Sequence, residues 1–227
     1  MIVGTIASIF LLFLSGYGLF IRSTSKRKSF IENYRFNPAI GKKVQAKYPH
    51  LTENDLQLVF HGLREYFCIC SQSKRKMVSM PSQVVDVAWH EFILFTQSYQ
   101  RFCKKALGRF LHHTPTEAMR TKTLAQEGIK RAWRLSCANG AINPSRPDRL
   151  PLLFAIDALL KIEDGFNYSL NCKDRSSPLY GDSYCASHIG CTSGCGGGST
   201  DSGSGFDSSG DPGGCSGDSG GGCGGGD

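Results

Sequence analysis

The stretch DVAWHEFILFTQSYQRFCKKALGRFLHHTP, Asp86 to Pro115, holds three of the chain's six histidines, a tryptophan, a cysteine and several aromatics. It can be read as a metal site, a catalytic site or a well-packed helix with polar punctuation, and that choice decides the fold. Taken as one helix from Pro81 to Leu107, its apolar residues Val85, Trp89, Phe92, Phe95, Tyr99, Phe102 and Ala106 form a stripe. A stripe at three- and four-residue steps is the buried face of a core helix. The rest of the chain is read outward from that helix.

Asp86 and His90 are four residues apart and share one face of this helix, about 40° apart around the axis. Such a pair can bind one metal ion, or the carboxylate can orient the imidazole for acid–base work. The plainer alternative is a hydrogen bond that fixes a partly buried histidine, and on the pair alone that alternative leads. His112 and His113 add weight to a site. They follow the helix-ending Gly108 and sit in a turn, where ligands are often presented. Geometry objects: His90 to Gly108 is about 27 Å along a straight helix. Cys103 is similarly out of reach, about 140° around the axis and roughly 20 Å along it. A site that joins Asp86, His90, Cys103 and His112 or His113 therefore needs a break, and Thr96-Gln97-Ser98 is where side chains could compete for backbone hydrogen bonds.

Several chemistries are excluded. His90-Glu91-Phe92-Ile93-Leu94 lacks the second histidine of a zinc-protease HExxH. No GxxxxGK[ST] and no GxGxxG between a strand and a helix is present, and no GxSxG occurs outside the low-complexity Gly-rich tail, where a strand-to-helix nucleophile turn is not expected. Cys103 with His112 or His113 could form a nucleophile pair, but nothing marks that thiol as activated.

Residues 29–165 read as a helical domain. Thr52 is the expected N-cap of a helix with acids in its first turn. Leu56, Val59, Phe60, Leu63, Phe67 and Cys70 supply its apolar face. Ser79-Met80-Pro81-Ser82 begins the next element, and Thr114-Pro115-Thr116-Glu117 is a third start, with a helix expected to reach Cys137 and stop at Asn139-Gly140. Leu150 to Ile162 reads as a short apolar helix. No stretch alternates strictly, so no sheet is expected. The fold class is mostly α, a compact bundle of about four to six helices with appendages at both ends.

The net charge of +7 hides an asymmetry. Residues 1–175 carry all 26 Lys and Arg and 13 of the 19 acids, whereas residues 176–227 carry six Asp and no base. Ile2 to Ile21 is 20 residues without a charge, about the 30 Å of a bilayer core. No positive n-region precedes it, and Arg22, Lys26, Arg27 and Lys28 follow. The expectation is a transmembrane anchor over residues 1–22 and a basic juxtamembrane linker over 23–28. The N-terminus would lie outside, the domain in the cytoplasm, and the four bases on anionic lipids. Cys68, Cys70, Cys103 and Cys137 would then stay reduced, as buried small hydrophobes or ligands. Nucleic acid is a weaker partner, because the bases are scattered or juxtamembrane. Residues 166–180 read as a linker. From Gly181 to Asp227, 18 of 47 residues are Gly, a composition expected to be disordered. Cys185, Cys191, Cys195 and His188 could form a loose metal trap there, although the spacing fits no standard zinc module.

Val85-Asp86-x-x-Trp89-His90, Ile93-Leu94-x-Thr96-x-x-Tyr99-x-x-Phe102-Cys103 and Gly108-x-Phe110-x-His112-His113-x-Pro115 together resemble the signature of the glycine-rich domain-containing proteins, over about residues 30–165. The resemblance implies no mechanism. It singles out Asp86, Trp89, His90, Tyr99, Cys103, Gly108, His112 and His113 as one unit. The expected function is a membrane-anchored, non-enzymatic binding or scaffold protein with a His-rich polar site and an unidentified protein partner. The alternative is a metal-dependent enzyme in which Asp86, His90 and His112 or His113 hold a divalent ion such as zinc.

Overall fold

The computed structural model describes residues 24–113, 122–170, 184–185 and 189. These residues form seven helices: α1 (24–32), α2 (Pro38–Lys47), α3 (Glu53–Gln72), α4 (Gln83–Leu94), α5 (Thr96–Ala106), α6 (Lys122–Asn139) and α7 (Leu152–Leu159). Two-residue strands Tyr168–Ser169 and Tyr184–Cys185 pair in parallel, a small addition to the expected sheet-free fold.

α3 is the central element, packed against α2, α4, α6 and α7. It starts where the sequence says. Thr52 accepts from the Asp55 N–H, and the Asp55 carboxylate accepts from the Thr52 N–H in a closed capping box. All six of its expected apolar positions, Leu56, Val59, Phe60, Leu63, Phe67 and Cys70, are buried. Around them Phe36 packs its ring on Phe60 and Phe92, Phe92 and Phe102 pack on Phe67, and Tyr34 packs on Phe102. Cys68, Cys70, Cys103 and Cys137 are buried and free.

The expected single helix from Pro81 to Leu107 is two helices. The chain breaks at Phe95 (φ −80°, ψ 58°), whose N–H turns back to the Phe92 carbonyl in a tighter bond. The break lies one residue before Thr96. Both halves still bury the predicted stripe: Val85, Trp89 and Phe92 on α4, and Tyr99, Phe102 and Ala106 on α5. A straight helix would carry α5 off the core. The break folds it back instead, so burial on two sides of the corner outweighs the backbone bonds lost there.

α6 ends at Asn139, where Asn139-Gly140 predicts a stop; its expected start at Thr114-Pro115 lies outside the described residues. α6 is held close to residues 77–79. Ser79 Oγ donates to the Ala125 carbonyl, and Arg131 donates to the Met77 carbonyl. A Cβ on Gly128 would lie 2.2 Å from Ser79 Oγ and 3.0 Å from the Ser79 nitrogen. Gly128→Ala is therefore expected to destabilise the fold by about 1–3 kcal/mol, although alanine is the better helix former. Denaturant unfolding checks this, and a neutral or stabilising result would mean the two segments do not sit this close.

Among the described residues no helix is long and apolar enough to cross a membrane. The 20-residue α3 has the length, but it carries His61, Arg64 and Glu65 at mid-helix. The expected single-pass anchor, with its outside N-terminus and cytoplasmic domain, is not supported. Residues 1–22, on which it was placed, lie outside the described residues, as do Cys191, Cys195, His188 and nearly all of residues 181–227.

Burial pushes the Glu65 carboxyl on α3 up to about 7. Because the folded value lies above the unfolded one, its contribution to stability is fully present below about pH 4.5 and is lost as pH rises through about 7. Glu65→Gln should therefore raise Tm by about 3–6 °C at pH 8, with the gain shrinking as pH falls toward 4.5. A gain of equal size at pH 8 and pH 4.5 would count against an ionisation effect.

Candidate metal centre

α4 begins at a buried anchor. Ser82 caps it, accepting from the Val85 N–H. Asp157 of α7, itself buried, accepts from Ser82 Oγ at 2.7 Å and from the N–H groups of Gln83 at 2.7 Å, Val84 at 3.2 Å and Phe166 at 2.9 Å. A carboxylate at a helix N-terminus meets unsatisfied N–H groups and the positive end of the helix dipole. This fixes the first turn of α4, from which Asp86 projects. His90 follows one turn later.

Beyond α5 the chain reverses at Gly108, which has φ +69°. Arg27 of α1 lies over this glycine, and its guanidinium donates to the Leu107 carbonyl. A side chain here would be strained in backbone conformation and would also collide with Arg27. Residues 109–113 then run back toward α4. Trp89 Nε1 donates to Tyr99 Oη at 3.1 Å, and Tyr99 Oη donates to the Leu111 carbonyl at 2.5 Å. Burial raises the Tyr99 phenol far above its usual range, so it remains a proton donor.

His113 ends this return. Its Nε2 lies 3.0 Å from Asp86 Oδ1, while His90 Nδ1 lies 3.2 Å from Asp86 Oδ2. Each carboxylate oxygen thus meets one imidazole. The two rings are 4.0 Å apart between centroids, and the Trp89 ring meets His113 edge-on at 4.6 Å. One donor atom from each of Asp86, His90 and His113 lies within 4.8 Å of the others. Zinc with bonds of 2.0–2.1 Å and tetrahedral angles places donors about 3.3 Å apart, so these donors, up to 4.8 Å apart, would have to draw together to hold one ion. Asp86 is 21% exposed and His113 15%, whereas His90 is 50% exposed, so the cluster opens to solvent on the His90 side.

The expected site residues divide. Asp86 and His90 are joined by His113. His112 points elsewhere: it is exposed and its ring lies against Phe110, 4.8 Å away. Two consecutive residues in a non-helical segment face opposite sides, so only one of the pair can join the cluster. Cys103 is fully buried outside the cluster, and burial raises its thiol pKa. Trp89, Tyr99 and Gly108 position the return loop and offer no donor to an ion. Asp157 and Ser82 went unnoticed as supports of the site. Ser82 beside Pro81 was a legible cap signal; Asp157, 75 residues away, left none.

The fold and this cluster define a mostly helical domain with an Asp–His–His set gathered at one corner. Residues 26–189 match the family described as UCP032817-like, and the chain belongs to that family. This replaces the resemblance to the glycine-rich domain-containing proteins, which rested on the motifs between Val85 and Pro115. No curated protein and no solved structure matches the chain.

Proposed function

We propose that this protein binds a divalent metal ion such as zinc through Asp86, His90 and His113, in a centre of the reactive rather than the structural kind. The observation that carries this reading is the convergence of three donors within 4.8 Å, two from a rigidly capped helix and one from a buttressed loop. Structural zinc sites are closed by four protein ligands, whereas reactive ones have three and leave a position for water or substrate. Three donors among the described residues, with an exposed face, fit the second pattern. When bound there, an ion would supply Lewis-acid chemistry and an acidified water. The chain's own contribution is to hold His90 and His113 on the two oxygens of one carboxylate.

The test uses the full chain, purified under reducing conditions, beside His90→Ala and His113→Ala. Elemental analysis and titration with zinc, manganese and iron(II) are expected to give near-stoichiometric metal for the wild type and strongly weakened, sub-stoichiometric binding in both variants. A second reading is favoured by the direct 3.0 Å contact of Asp86 with His113, which needs no ion. In that reading the cluster is a latch that ties the loop to α4, within a binding or scaffold protein. A metal-free wild type whose variants are less stable would support the latch and remove the metal reading.

A further inference from the structure

Among the described residues, no backbone–backbone hydrogen bond holds residues 108–113, the segment that delivers His113. Its main chain is instead gripped by α5 side chains. Tyr99 Oη donates to the Leu111 carbonyl. One turn later on α5, the thiol of Cys103 is raised by burial and drawn back down by the Leu111 N–H that faces it. Tyr99 is in turn held by the indole of Trp89, which sits between Asp86 and His90 on α4. All three side chains are buried. The contacts close a ring: α4 through Trp89 to Tyr99, to Leu111, to His113, and back to α4 at Asp86. Leu111 and His113 are two residues apart, at most about 7 Å of chain. A shift at Leu111 therefore passes to the His113 ring with little slack.

We propose that Tyr99 is the positioning residue of the centre: its hydroxyl, oriented by Trp89, fixes Leu111 and so sets His113 against Asp86. This rests on the metal reading for its functional meaning but not for its geometry. Tyr99 touches no ligand atom. It acts through the loop, as groups behind a metal ligand commonly do, and changes in such groups reduce metal affinity by about 10–100-fold. Tyr99→Phe keeps the ring on Phe92 and removes the one atom that serves both as acceptor for Trp89 and as donor to Leu111.

The experiment is a double-mutant cycle on the full chain, titrated with zinc alone. Tyr99→Phe is expected to weaken zinc binding about 10–100-fold in the wild-type background. In the His113→Ala background the same change should alter the remaining affinity by no more than about twofold, because the residue it positions is gone. Leu153→Ala, a buried change in α7, is the control for general destabilisation and should leave affinity unchanged. In the metal-free protein, the imidazole 15N signal of His113 should move in Tyr99→Phe to the position it takes in Asp86→Asn. Unchanged affinity in Tyr99→Phe, or an equal loss in both backgrounds, would overturn the proposal. If the wild type takes no zinc, the metal reading falls and the imidazole signal decides alone: a shift supports positioning, and a wild-type signal overturns it. Should Tyr99→Phe fail to fold, Trp89→Phe, which leaves the Tyr99 hydroxyl unheld, is read by zinc affinity alone, because its ring also touches His113. It should weaken binding in the wild-type background and by no more than about twofold in His113→Ala; no weakening, or an equal loss in both backgrounds, overturns the proposal.

Discussion

Asp157→Ala is expected to lower the stability of the fold by about 3–5 kcal/mol, the range found when one partner of a buried polar set is removed. Its carboxylate is the common acceptor for the Ser82 hydroxyl and for the N–H groups of Gln83, Val84 and Phe166. Alanine would leave the Ser82, Gln83 and Val84 donors at the start of α4 without this acceptor, and each unmet buried donor costs about 1–3 kcal/mol before water or rearrangement relieves it. For a domain of this size the loss corresponds to a fall in Tm of about 10 °C. Asp157→Asn should fall between the two, since an amide oxygen can accept only part of the set and brings no charge to the helix N-terminus. Thermal and denaturant unfolding measure this directly. A drop under about 1 kcal/mol for Asp157→Ala would show that α4 does not depend on this anchor.

Asp86→Ala is expected to behave in the opposite way. Asp86 is partly exposed and its two partners are imidazoles, one of them half in solvent. Stability should fall by only about 1–2 kcal/mol, a hydrogen bond or two. Zinc affinity should fall by at least about 100-fold, beyond what a group behind the ligands produces, because the carboxylate is the only anionic donor of the cluster among the described residues. Calorimetric titration beside thermal unfolding separates the two effects. A variant that binds zinc like the wild type would sink the assignment of Asp86 as a ligand. A variant that unfolds like Asp157→Ala would make the cluster a stability element instead.

These two aspartates also show what the sequence could reveal. Asp86 was legible because its partner His90 is four residues away on the same helix, and local periodicity fixes such geometry. α3 was legible for the same reason: Thr52, Asp55 and the spacing from Leu56 to Cys70 are local signals that agree with one another. Asp157 was invisible as an anchor, because a single acid in an apolar helix says nothing of the N-terminus it will meet across the core. The break at Phe95 was half visible. Without a Gly or Pro to mark it, propensity favoured one continuous helix, and the fold breaks it only because both faces of the corner find the core. That break answers the 27 Å objection and brings His113 back to His90, while His112, its neighbour, is turned away. The membrane anchor is not supported for another reason: it was placed on 20 uncharged residues that lie outside the described ones, and no described helix is long and apolar enough to cross a membrane.

The corner at Phe95 also bears on the order of folding. It compresses the whole cluster into 28 consecutive residues, Asp86 to His113, so its assembly needs the closure of one short loop rather than a search across the chain. Closure entropy grows only slowly with such spans, and local contacts form ahead of distant ones. The α4–α5 hairpin can therefore gather its histidines before α7 arrives with Asp157 to lock the helix start. Trp89, in ring contact with His113, is placed as a native fluorescent reporter of that early closure, and its quenching should precede the cooperative step in refolding.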